Sequence, residues 1–216
     1  MAIKHHPDVS SLMSCAAGSQ PEALGAVMAS HISMCQACAA QVERLGRIGE
    51  ALFDSLEPAR VEGPAPVFAA RSLEAADKTS SSPAAQATAG VPYALSSLVT
   101  ADFKSLSWKR LGPGLWHYPL PLSAGAKGDL RLLKVAPGQS LPDHGHGGEE
   151  LTLVLQGSYT DSTGTYGVGD VADLCDDIEH APVADAEQGC ICLIASEKPA
   201  RFKGLFARMV QPLSGL

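Results

Sequence analysis

Apolar residues recur at helical spacing through the first quarter of the chain. Val9, Leu12 and Met13 fall on one face of a helix that Asp8 can cap. Leu24, Val27, Met28 and Ile32 repeat the pattern after Gln20-Pro21-Glu22. There the proline suits the first helical position and the glutamate suits the positive end of the helix dipole. Val42, Leu45, Ile48, Leu52 and Phe53 mark a third helix over roughly 36–56, which stops before Pro58. Three short helices with narrow apolar stripes make a thin core, and so small a unit needs a metal or a partner to complete it.

The texture then changes twice. After a loop to Pro66, Val67 to Asp77 can form a short helix with Phe68 and Leu73 on one side. Residues 78–92 are rich in Ser, Ala, Pro and Gly, bury no apolar face, and read as an interdomain linker. Beyond Tyr93, short β-type runs alternate with turns: 130–135, 151–155 and 191–195. That rhythm belongs to an all-β sandwich or barrel. The expected fold is α+β in two domains: a helical unit over 1–77, the linker, and an antiparallel β-barrel over 93–216.

Composition narrows the function. With 45% hydrophobic and 18% charged residues among 216, the chain is globular, and 5% aromatics make its core aliphatic. A net charge of −7 argues against direct nucleic-acid binding. No apolar run reaches the ~18 residues of a membrane span, and the first residues lack the apolar region of a secretory signal. The expected compartment is the cytoplasm. Six cysteines in a reducing compartment point to metal ligation or redox chemistry before disulfides.

Two stretches carry the chemistry. His144 and His146 stand at i and i+2, so a strand points both the same way. Gly147-Gly148 turns the chain, and Glu150 opens the apolar run Leu151–Leu155. Two imidazoles and a carboxylate outline a site for a first-row divalent metal. Gly138, five residues, His144-Gly145-His146, three residues, Glu150, six residues and Gly157 resemble the first motif of the cupins. The resemblance implies a small antiparallel barrel around one metal, with a third histidine from a second motif. His180 fits that place, although its surroundings, Tyr166–Asp170 and Glu179–Pro182, lack the family's usual Pro-x-Gly. Glu149 would face away from Glu150 and be solvated. Cys190 and Cys192 would share one strand face, either as two small core residues or as a redox pair near the metal. Cys15 and Cys175 read as packing residues and His117 as structural. Asp170, Asp173, Asp176, Asp177 and Glu179 read as a solvated turn, with a docking edge for a basic partner as the alternative.

The other stretch is His31-x3-Cys35-x2-Cys38. One helical turn separates the first two, and the third follows at the next helix start, so all three can share a face. Two thiolates and an imidazole suit zinc, with His5 or His6 returning as the fourth ligand. A thioredoxin-type redox pair is the alternative, but that motif follows a strand and here a helix precedes it. The pattern resembles the zinc-binding anti-sigma domain, and its order before a cupin resembles the ChrR-type anti-sigma factors. The resemblance implies zinc on His6, His31, Cys35 and Cys38. For the cupin it implies zinc or another divalent metal on His144, His146, Glu150 and His180. It further implies a non-enzymatic regulator that holds an extracytoplasmic-function-type sigma factor one-to-one away from RNA polymerase. Release would follow when the cupin senses singlet oxygen or organic hydroperoxide. The competing reading is a metal-dependent cupin dioxygenase or isomerase with a helical zinc appendage.

Overall fold

The computed structural model describes residues 2–59, 93–96, 102–142, 144–145, 147–174, 180–198 and 201–202. The expected helix over 67–77, the linker over 78–92, His146, Cys175, Asp176, Asp177 and Glu179 lie outside them.

Three helices form where the apolar spacing predicts: α1 Val9–Ala16, α2 Glu22–Met34 and α3 Gln36–Asp54. Asp8 stands at the start of α1 but makes no side-chain cap. Instead its backbone N–H donates to the Asp173 carboxylate at 2.9 Å. Pro21 precedes α2 rather than opening it. Between α2 and α3 the axis turns by 118°. The turn is made at Cys35, whose backbone is extended (φ −117°, ψ 100°). It swings the start of α3 back beside the end of α2.

The strands are β1 Lys109–Gly112, β2 Leu115–Pro119, β3 Asp129–Val135, β4 His144–Gly145, β5 Glu150–Thr160, β6 Thr165–Gly167, β7 Val171–Leu174, β8 Val183–Ala184, β9 Cys190–Ser196 and β10 Arg201–Phe202. All pairings are antiparallel, in the order β1-β2-β3-β9-β5-β6, with β7 and β8 also on β5. β4 pairs with β10. β5 pairs with β7 through its first half and with β6 and β8 through its second, and a bulge lies between Val154 and Gln156. Gly157 follows at φ +70°, where an added Cβ would stand 2.0 Å from the Gly189 carbonyl oxygen. Only glycine lets the two strands approach there.

Strand alternation divides the side chains between two faces. Leu132, Leu151, Leu153, Leu193 and Ala195 join Leu24, Val27 and Met28 of α2 in one core. Leu133, Val135, Val154, Cys190 and Cys192 face the other way. α2 is thus the roof of the sheet, and the sheet completes the thin helical core. Burying Leu24, Val27 and Met28 fully contributes about 1.5–3 kcal/mol each.

Candidate metal centres and the exposed helical face

The turn at Cys35 gathers the first cluster. His31 ends α2, Cys35 makes the break and Cys38 lies in the first turn of α3. His6 arrives from the extended segment before α1. One donor atom from each of His6, His31, Cys35 and Cys38 lies within 4.8 Å of the others, so the four could hold a metal ion. His6 Nδ1 stands 3.5 Å from Cys35 Sγ and 3.4 Å from Cys38 Sγ. Zinc bonds of about 2.0–2.3 Å place tetrahedral donors about 3.3–3.8 Å apart, so the spacing fits. His31 adds a second test. Its Nδ1–H donates to the Gly169 carbonyl at 2.9 Å, while its buried Nε2 has no partner. A backbone acceptor on one ring nitrogen fixes the tautomer that offers the other to a metal. Burial also lowers the His31 pKa, which favours the neutral imidazole. Burial, with Cys35 beside it, pushes the Cys38 thiol up to about 11, a proton that a bound cation would displace.

His5 is occupied elsewhere. Its ring lies against Tyr166 with centroids 4.3 Å apart. The segment is held by the cupin-side turn 166–170, where the buried Asp170 carboxylate accepts the N–H groups of Lys4 (2.6 Å), His5 (3.0 Å) and Gly167 (2.8 Å). The Val171 N–H donates to the His5 carbonyl at 3.1 Å. Burial raises the Asp170 pKa, but these donors outweigh it and leave the carboxyl below its ordinary value. Gly169, at φ +90°, leaves room for Ile3, whose Cδ1 would stand 2.7 Å from an added Cβ. Asp173 accepts from Ser11 Oγ at 2.7 Å, and Glu149 accepts from the same hydroxyl at 3.3 Å. The solvated turn expected at Asp170 and Asp173 is therefore an interdomain clamp. Glu149, expected to be solvated, is half-buried against α1, and burial raises its pKa.

The second centre lies on the inner face of the sheet. Glu150 and His180, both buried, line one cavity with Thr152, Tyr159, Cys190 and Cys192. His180 Nδ1 meets Asp161 Oδ2 at 2.7 Å. The Asp161 side chain is itself buried. Burial raises its pKa, and hydrogen bonds from Thr163 and His180 more than reverse the effect. A carboxylate behind an imidazole is the support a metal-binding histidine uses. The backbone of His144 lies in β4, but its side chain and all of His146 fall outside the described residues. The Cys190 and Cys192 sulfurs are 3.3 Å apart. Their hydrogen bond, together with burial, holds the Cys192 thiol well above its usual pKa. His117 is buried beside Arg131, as a structural residue would be. Asp161 and Tyr159 had no signal in the sequence: one sits in a Ser/Thr/Gly turn, and the other reads as an ordinary strand aromatic.

The helical unit also carries apolar side chains that the fold leaves uncovered. Val9 and Met13 on α1, and Ile48, Leu52, Phe53 and Leu56 on and after α3, are exposed, Phe53 to 74%. Among the described residues no single helix is long and apolar enough to cross a membrane.

These features define a protein with a His/Cys-bearing helical unit seated on a cupin-like sheet. Residues 96–199 match the ChrR cupin-like domain family. Anti-sigma-E factor ChrR of Cereibacter sphaeroides is 35% identical over 212 residues, 98% of either chain. The crystal structure of Rhodobacter sphaeroides SigE in complex with the anti-sigma ChrR superposes with a TM-score of 0.74 at 34% identity, covering 90% of this chain and 100% of that one. The chain belongs to the ChrR family of anti-sigma factors, which are regulators and not enzymes. The dioxygenase or isomerase alternative falls with that assignment.

Proposed function

We propose that this chain sequesters an extracytoplasmic-function-type sigma factor one-to-one in the cytoplasm, through its N-terminal helices, and so keeps it from RNA polymerase. The observation that carries the reading is the set of exposed apolar side chains on two helices packed against each other, Val9 and Met13 with Ile48, Leu52 and Phe53. A face of that kind is costly to leave in water and marks a docking site. The ChrR relative that superposes on this chain was solved in complex with SigE. His6, His31, Cys35 and Cys38 would hold zinc, which supplies the covalent-like tie fixing the angle between α2 and α3. His144, His146, Glu150 and His180 would hold zinc or another divalent metal in the cupin.

The cupin would serve as the sensor of singlet oxygen or organic hydroperoxide. Its cavity and the helical cluster share supports in one hairpin. Asp161 holds His180 at one end, and Gly169 and Asp170 hold His31 and the His6 segment at the other. A change in the cavity that shifts this hairpin loosens the frame on which the sigma-binding helices stand. Co-expression of the full chain with candidate sigma factors tests the first step. A stoichiometric complex carrying zinc is expected, and a folded, zinc-loaded chain that binds none of them overturns the proposal. Exposing the complex to singlet oxygen or an organic hydroperoxide tests the second step. Release is expected, and a complex that persists while the cupin is modified counts against the sensor.

A further inference from the structure

The four donors of the helical cluster do not have one owner. α2, the break at Cys35 and the start of α3 bring His31, Cys35 and Cys38 together by helical geometry. Two things are left over that the helices do not decide: which nitrogen His31 presents, and where His6 stands. The cupin-side turn 166–170 decides both.

His31 is 0% exposed, so bulk water offers its ring no partner. Its Nδ1–H needs an acceptor, because a buried donor without one is costly. The acceptor is the Gly169 carbonyl, 138 residues along the chain. Nε2 is then the nitrogen with a free lone pair. His6 is the reverse case, with its Nδ1 toward the two sulfurs. The turn reaches His31 by entering a narrow slot. At Gly169 an added Cβ would stand 2.7 Å from both Cγ1 and Cδ1 of Ile3 and 3.6 Å from Cε of Met34, the last residue of α2. A larger residue there would push the carbonyl away from the imidazole.

His6 precedes α1, and its side chain is exposed, so no helix aims it. The residues just before it are pinned instead. Asp170 Oδ1 takes the N–H groups of Lys4 and His5. The carbonyl of the peptide that joins His5 to His6 accepts from the Val171 N–H.

We infer that Gly169 and Asp170 are positioning residues of the helical zinc centre, so that the cupin turn sets how tightly the helices hold their metal. The inference rests on the reading of His6, His31, Cys35 and Cys38 as zinc ligands. Neither positioning residue touches the ion. Gly169 orients one imidazole and Asp170 fixes the approach of the other. Support of this kind is worth about ten- to a hundredfold in metal affinity. Water can take over part of it, so its loss weakens binding without abolishing it.

The test uses the full-length chain with cobalt(II) as the probe, titrated against a competing chelator. The thiolate-to-cobalt absorption reports the two-cysteine centre apart from the cupin centre. Gly169→Ala and Asp170→Ala should each weaken cobalt binding by about ten- to a hundredfold. Ser11→Ala is the control, because it cuts the α1 contacts to Glu149 and Asp173 and touches no ligand; it should leave the affinity unchanged. Wild-type affinity in both turn variants overturns the inference. So does an equal fall in Ser11→Ala, which would make the effect one of domain docking in general. A second measurement needs no variant. In the zinc-loaded wild type, nitrogen NMR of labelled histidine should show His31 protonated at Nδ1 and metal-bound at Nε2. Its Nδ1–H should exchange with solvent far more slowly than the ring N–H of His6. Metal on His31 Nδ1, or equally fast exchange of the two protons, also overturns the inference. Wild type without a thiolate band would end the zinc assignment itself, and the inference with it.

Discussion

α2 and α3 carry the same kind of apolar repeat, one helix after the other, and meet opposite fates. Leu24, Val27 and Met28 of α2 are fully buried, while Ile48, Leu52 and Phe53 of α3 stand in solvent. α2 is apolar nearly all round and has two neighbours to satisfy, the sheet below and the other helices beside it. α3 carries charges between its apolar positions, packs on α1 and α2, and leaves residues 47–54 exposed. One helix therefore holds the molecule together, and the other is available to something else. Substitutions should separate these two roles cleanly.

The strongest destabilisation is expected on α2. Leu24→Ala should lower the unfolding free energy by about 2–5 kcal/mol, read as a shift of the urea midpoint, and any loss of sigma binding should track unfolding. Asp170→Asn comes next. It replaces a buried carboxylate that accepts three backbone N–H groups, and should cost about 1–3 kcal/mol. The sign with pH follows from the lowered folded-state pKa of Asp170. Its contribution is complete above the ordinary carboxylate range and fades as pH falls through the lowered value. The gap in stability between wild type and Asp170→Asn should therefore narrow in acid. His6→Ala should bring bound zinc in the helical unit close to zero after dialysis against a weak chelator, while His5→Ala should keep it. Equal loss from both would break the assignment of His6. The smallest effect on stability belongs to Phe53→Ala, within about 0.5 kcal/mol. Its effect should appear in sigma affinity, weakened about 30-fold or more if Phe53 is a hot spot of about 2 kcal/mol. An unchanged affinity would remove α3 from the docking face.

What could be read in the sequence was what is local. His31, Cys35 and Cys38 lie within a few residues, and helical geometry brings them together without help from elsewhere. The helices and main strands followed from periodicity, and Gly157 from a fixed spacing to Glu150. What escaped depended on distant partners. Spacing could not separate His5 from His6, because what separates them is distant: Asp170, 165 residues away from His5, holds the segment, and the His5 ring lies on Tyr166 while His6 reaches the Cys35 and Cys38 sulfurs. The acids at 170 and 173 read as solvated because nothing local shows that backbone N–H groups from the extended segment before α1 will seek them. Apolar spacing could not tell a roof from a docking face. It registers which residues share a side, and not whether that side will be covered.

The turn at Gly169 and Asp170 touches the helical cluster twice, through the His31 imidazole and through the strand of backbone that carries His6. Contacts shared in this way make two equilibria reciprocal. If docking of the cupin raises the zinc affinity of the helical unit by some factor, zinc raises the affinity of docking by the same factor. A chelator then acts as a wedge between the domains. Equally, zinc retention becomes a gauge of the cupin's state: whatever loosens the hairpin from its cavity side should be legible as faster zinc loss from a site that the stimulus never touches.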